Sequence, residues 1–314
     1  MSKAACLFLL FLTPFTWAKN PILPGVYTAD PSALFYKDTV YLYTGHDEAD
    51  EKHNDYVMKD WLCFSTTDMK TWKAEGSPLN VAAFKWAARD AWAGDVKERN
   101  GKFYYCAPVE HATIKGKAIG VAVSDSPTGP FVDARGSALI TNDMTTDVKI
   151  GWDDIDPAAF IDDDGQAYLF WGNTKCHYVK LKANMTELDG PIVNVDVKAF
   201  TEAPWVHKRG NLYYLSYASE WPEKMAYSTA ENINGPWTFR GRFKEWAGNS
   251  NTNHGAIIDF KDESYFIFHH GGLLGGGSFR RSVCVERLHY NPDGTIQMIH
   301  ESSEGIDGPV DGSK

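Results

Sequence analysis

The chain has 314 residues, 43% hydrophobic and 14% aromatic, with a formal net charge of −10. That length buries a large core and is still compatible with a single all-β domain. The acidic balance argues against nucleic acid as a partner, because phosphates would be repelled, and suits a neutral ligand.

Residues 1–18 read as a signal peptide, with basic Lys3, an apolar stretch from Cys6 to Phe15, and Thr16-Trp17-Ala18 as a small-x-small cleavage site. About ten apolar residues are too few to cross a bilayer. The expectation is an exported protein, periplasmic or extracellular, with no membrane span and one domain over residues 19–314. Cys63, Cys106, Cys176 and Cys284 sit in apolar, strand-like contexts without Cys-x-x-Cys spacing. They read as buried apolar side chains, with one disulfide left open.

After the leader, strands rich in Tyr, Phe, Val and Trp alternate with Gly, Asp, Asn and Lys turns, and helical periodicity is scarce. Asn100-Gly101 and Asp164-Gly165 are strong hairpin signals. Asp30-Pro31-Ser32-Ala33-Leu34-Phe35 opens a phrase of acid, apolar run, turn and second aromatic strand. Trp92-Ala93-Gly94-Asp95-Val96, Asp156-Pro157-Ala158-Ala159-Phe160, Glu202-Ala203-Pro204-Trp205-Val206 and His254-Gly255-Ala256-Ile257 open four more. The openings recur about every 45 to 65 residues, the length of one blade of a β-propeller. The fold expected is therefore all-β, a five-bladed β-propeller.

Inner strands of a propeller crowd the axis, so Asp30, Asp156 and Glu202 are expected to meet in one funnel. Hydrolysis of a glycosidic bond needs one carboxylate to activate water and one carboxylic acid to protonate the leaving oxygen. Aromatic side chains next to the acids suit the apolar faces of sugar rings, and Phe35, Trp92 and Trp171 are the substrate contacts expected, Phe35 and Trp92 foremost. Asp162-Asp163-Asp164 lacks a closing Glu for a calcium loop and reads as a hairpin turn. The glycines from Gly271 to Gly277 read as a rim loop, because no Gly-Lys-Ser/Thr follows.

The ordered set Ala29-Asp30-Pro31-Ser32, Trp92-Ala93-Gly94-Asp95-Val96, Asp154-Ile155-Asp156-Pro157, Thr201-Glu202-Ala203-Pro204, Asn253-His254-Gly255 and Arg281-Ser282-Val283 resembles glycoside hydrolase family 43. The resemblance covers about residues 22 to 300 and implies a five-bladed propeller that removes arabinose or xylose from plant oligosaccharides or polysaccharides. It implies Asp30 as general base, Glu202 as general acid and Asp156 as the residue that tunes and orients the acid. Arg281, in preference to Arg280, is implied to bind sugar hydroxyls or hold a carboxylate. His254 is implied to contact a calcium or sodium ion in the axial channel, directly or through water, and no organic cofactor is expected. Gly94 departs from the Pro common in the family, which bears on the geometry of that loop. The activity expected is an exo-acting, inverting α-L-arabinofuranosidase. A β-xylosidase or dual enzyme, and an inactive carbohydrate-binding propeller, are the alternatives.

Overall fold

The computed structural model describes residues 19–52 and 54–307; the expected signal peptide lies outside the described residues. Five antiparallel sheets follow one another along the chain. Their innermost strands are Thr28–Tyr36, Asp95–Arg99, Ala158–Ile161, Glu202–Arg209 and Gly255–Phe260, and each touches the next round to the first, closing a ring. The fold is a five-bladed β-propeller.

Local chemistry explains the hairpins. Asn100 and Gly101 both have positive φ (55° and 78°), the two-residue turn whose twist matches that of the flanking strands. Apolar layers fill the gaps between blades. Trp61, Tyr105 and Phe84 pack between the first and second blades, and Trp171, Ile119 and Leu169 between the second and third. Cys63, Cys106, Cys176 and Cys284 are buried and unbridged within these layers. Among the described residues no helix is long and apolar enough to cross a membrane.

The last blade has only three strands, and the N-terminal segment covers its edge. Ile22 and Thr28 donate backbone N–H groups to the carbonyls of Val283 and Arg281, while the Asn20 side chain accepts from Val285 N. This closure ties the start of the chain to the strand Ser282–Leu288 and leaves no bare sheet edge there.

Asp95 starts the inner strand of the second blade and joins three blades. Its buried carboxylate accepts from Ser32 Oγ of the first blade at 2.5 Å, from Ala159 N of the third at 2.8 Å and from Lys97 Nζ at 2.9 Å. Removing it leaves buried donors and a largely covered ammonium without a partner. Asp95→Ala is expected to cost about 3 kcal/mol or more in urea unfolding. A loss within the range of an ordinary surface substitution would show that the latch is dispensable.

Candidate active site

The acid-bearing phrases share a backbone device. Asp30, Asp156 and Ala203, each just before a proline, have φ of 51°, 57° and 57°. Side chains other than glycine adopt this region at a cost. Pairing is interrupted between Ala29 and Ser32 and again between Glu202 and Trp205. Such bulges re-aim side chains near functional sites. The register corrects the sequence alignment in one respect: Ala203 matches Asp30 and Asp156, and Glu202 stands one residue earlier, at the position of Ala29. The bulge lets an acid at either position reach the same space.

That space is a pocket of about 440 Å³ at the axis. Every blade contributes: Asp30, Tyr56 and Met58 from the first, Trp92 and Ala93 from the second, Trp152, Asp156 and Asn173 from the third. Glu202, Trp221 and Glu223 come from the fourth, Thr252, His254 and Arg281 from the fifth. Trp152 and Trp221 are half-exposed or more at its mouth. Trp92 is held from three sides, by Lys117 Nζ 3.7 Å from its ring, by the edge of Tyr56, and by Trp61 Nε1, which donates to its carbonyl.

The carboxyls of the pocket have different surroundings. Arg281 Nη1 donates to Asp30 Oδ1 at 2.8 Å, and its Nε and Nη2 grip Asp47 at 2.9 and 3.0 Å. His269 Nδ1 lies 3.2 Å from Asp30 Oδ1. Burial pushes the Asp30 carboxyl up, but the Arg281 guanidinium and His269 overturn this and hold it well below the usual carboxylate range. Glu202 accepts a 2.5 Å hydrogen bond from Asn173 Nδ2. Burial raises its pKa to about 7 against that bond, and the charge on Asp30 adds to the rise. Asp156 is pushed well above its ordinary value by burial and then by Glu202, and it accepts Ala203 N at 3.1 Å. It thereby fixes the backbone beside Glu202. Burial and Asp30 are thus the main causes of the raised Glu202 pKa, a part the sequence expectation gives to Asp156.

Two expected contacts lie elsewhere. Phe35 is five residues along its strand from Asp30, roughly 16 Å away, and packs edge-on against Phe260 at 5.7 Å. Trp171 is fully buried, because its ring turns into the layer between the second and third blades. It donates from Nε1 to Asp154 Oδ1 at 2.7 Å and so supports the loop that carries Asp156. Neither lines the pocket. Asp47, Tyr56, Asn173, Trp221 and Glu223 are the residues sequence reasoning missed; they lie on loops between later strands, outside the repeated phrase.

His254 lines the pocket with Nδ1 4.0 Å from Asp156 Oδ2. Burial lowers its pKa to about 4, so the ring is neutral and able to act as a ligand. One imidazole and one nearby carboxyl fall far short of the six to eight oxygens calcium takes, so an ion here would be held mainly by water. The three-donor group found among the described residues, His46, Glu48 and Asp60, is a separate cluster.

A family model for Glycosyl hydrolases family 43 matches residues 18–296. The chain belongs to this family. An arabinoxylan arabinofuranohydrolase of Bacillus subtilis is 30% identical over 91% of this chain, which spans 65% of that relative's length. A xylosidase/arabinosidase of Bacteroides ovatus is 30% identical over 91% of this chain and 99% of its own. A solved family 43 β-xylosidase/α-arabinofuranosidase from a compost microbial metagenome, in complex with xylotriose and described as a calcium-free form, superposes with a TM-score of 0.80. It is 27% identical and covers 90% of this chain and 97% of its own.

Arg281 compensates two buried carboxylates, and its loss leaves both uncompensated. Arg281→Met is expected to cost about 3–5 kcal/mol at neutral pH. The depressed Asp30 pKa contributes stability that is present above the unfolded value of 3.8 and lost as pH falls through the folded one. The penalty in urea unfolding should therefore shrink as pH falls below 4. A penalty independent of pH would show that Arg281 acts by packing alone.

Proposed function

We propose that the protein is an exported, exo-acting α-L-arabinofuranosidase that removes arabinose from plant hemicellulose or arabinan with inversion. The observation that carries this is a pair of carboxyls in one pocket with different partners: Asp30 is bonded to the Arg281 guanidinium, which favours its ionised form, while Glu202 is bonded to the neutral Asn173 amide and is raised by burial to about 7. Asp30 takes a proton from water as that water attacks the anomeric carbon, and Glu202 gives its proton to the departing oxygen. Asp156 holds the strand start that carries Glu202. Trp92, rigidly packed, offers an apolar face to the sugar. Arabinose removal is favoured by the similarity to the arabinoxylan arabinofuranohydrolase. A β-xylosidase or dual activity is the second reading, favoured by the dual names of the other two relatives. An ion near His254 would act through its charge, since water activation is assigned to Asp30.

The test uses aryl α-L-arabinofuranoside, aryl β-xyloside and arabino-oligosaccharides, with Glu202→Ala and Asp30→Ala. Arabinofuranosides should be the better substrates. Glu202→Ala should lose about 10²–10⁴-fold on oligosaccharides and far less on the aryl glycoside, whose phenolate leaves unprotonated. Asp30→Ala should impair both alike, because water must be activated whatever leaves. The opposite pattern would exchange the two roles, and preference for the xyloside would select the second reading.

A further inference from the structure

Glu223 stands just before the strand Lys224–Ala230 of the fourth blade and is 1% exposed, yet it lines the pocket. The residue is fixed at both its backbone and its carboxyl: Glu223 N donates to Asn251 O at 3.0 Å, and Oε2 accepts from Asn253 N at 2.7 Å. Oε1 is buried and accepts no hydrogen bond from an N–H or hydroxyl group among the described residues. What it meets is the Glu202 carboxyl. Two carboxyls can bond only when one keeps a proton.

The charge of the pocket decides that one does. Arg281 is the only cation among the described lining residues, since His254 is neutral, and its donors are committed elsewhere: three contacts go to Asp30 and Asp47, and the others to Thr252 Oγ1 and Met58 Sδ. Asp156, Glu202 and Glu223 therefore share a buried space with no cation of their own, and buried carboxyls in that situation stay protonated. Burial and then the neighbouring Glu202 push Glu223 well above its ordinary range. Glu223 is also the more deeply buried of the two, since Glu202 is only partly covered, so the shared proton sits on Glu223 when Glu202 ionises.

We propose that Glu223 is a positioning residue of the hydrolytic site: its protonated carboxyl donates a hydrogen bond to Glu202 and stabilises the carboxylate that Glu202 becomes on giving up its proton. This rests on Glu202 being the general acid. In the step itself the Glu202 O–H bond breaks and the leaving oxygen gains the proton. The Glu223 O–H bond stays intact, and its hydrogen bond to the new carboxylate shortens, beside the bond already made by Asn173. A donor that serves the conjugate base makes the acid stronger. Without it, Glu202 would sit above about 7 and release its proton less readily, with Asp30 still repelling its charge and Arg281 only partly offsetting this.

The experiment compares Glu223→Gln, which keeps an N–H donor, with Glu223→Met, which does not. The upper limb of kcat/KM on arabino-oligosaccharides should stay near its wild-type pH in the glutamine variant. It should move up by about one unit in the methionine variant, in line with loss of a hydrogen bond to a charged group. At pH 6 the methionine variant should lose up to about tenfold on oligosaccharides and much less on an aryl arabinoside. Where methionine fails to fold by circular dichroism, Glu223→Ala takes its place. Equal losses on both substrates with an unmoved limb, or a limb displaced as far by glutamine as by methionine, would overturn the proposal. If the Glu202→Ala variant shows no dependence on the leaving group, the general-acid assignment fails and this inference falls with it. A clear Glu202 split with an unmoved Glu223→Met limb overturns the inference alone.

Discussion

Arg281 determines what the pocket can do. Its guanidinium reaches the axis from just before the third strand of the last blade and binds Asp47 through two nitrogens and Asp30 through the third. An ammonium could not span both carboxylates in this way. Because the arginine is committed to that pair, Asp30 is ionised while Asp156, Glu202 and Glu223 have no counter-charge and retain protons. One cation thus divides these four pocket carboxyls into a base and a protonated group. The division follows from burial and distance, without any difference in intrinsic acidity between the side chains.

The propeller makes this division possible by delivering residues distant in sequence to one axis. Asp30 and Arg281 are 251 positions apart yet 2.8 Å from each other. The closure of the ring matters as much as the inner strands, since the N-terminal segment is hydrogen-bonded to the same strand that follows Arg281. Thr28 N donates directly to the Arg281 carbonyl, so the segment that leads into Asp30 and the residue that ionises it are held together. Asp95, which lacks any chemical role here, joins the first three blades and keeps the inner strands in register.

Much of this was legible in the chain. The recurring openings at Asp30, Asp95, Asp156, Glu202 and His254 identify five blades, because each marks the start of an inner strand and the openings recur at the length of one blade. The aromatic residues were harder to place. Trp171 and Phe35 lie close to acids in sequence, but Trp171 points between blades and Phe35 sits at the far end of its strand. Period-two alternation does not say which face of a blade meets a neighbouring blade and which end meets the axis. The one-residue offset of Glu202 was hidden for a related reason, since the bulge before Trp205 is a property of pairing with Ser216 and Ala218. Glu223 and Asn173 carried no signal at all. They enter the pocket from loops between later strands, and only the assembled ring shows that their side chains face Glu202.

The central claim is that Asp30 and Glu202 occupy opposite protonation states in the resting protein. Infrared difference spectroscopy at about pH 6 tests it directly, below the value near 7 at which Glu202 ionises. Replacing Glu202 by glutamine should remove a protonated-carboxyl C=O band from the spectrum. Replacing Asp30 by asparagine should remove ionised-carboxylate bands and leave the protonated band in place. Loss of the protonated band with Asp30, or of carboxylate bands with Glu202, would contradict the account.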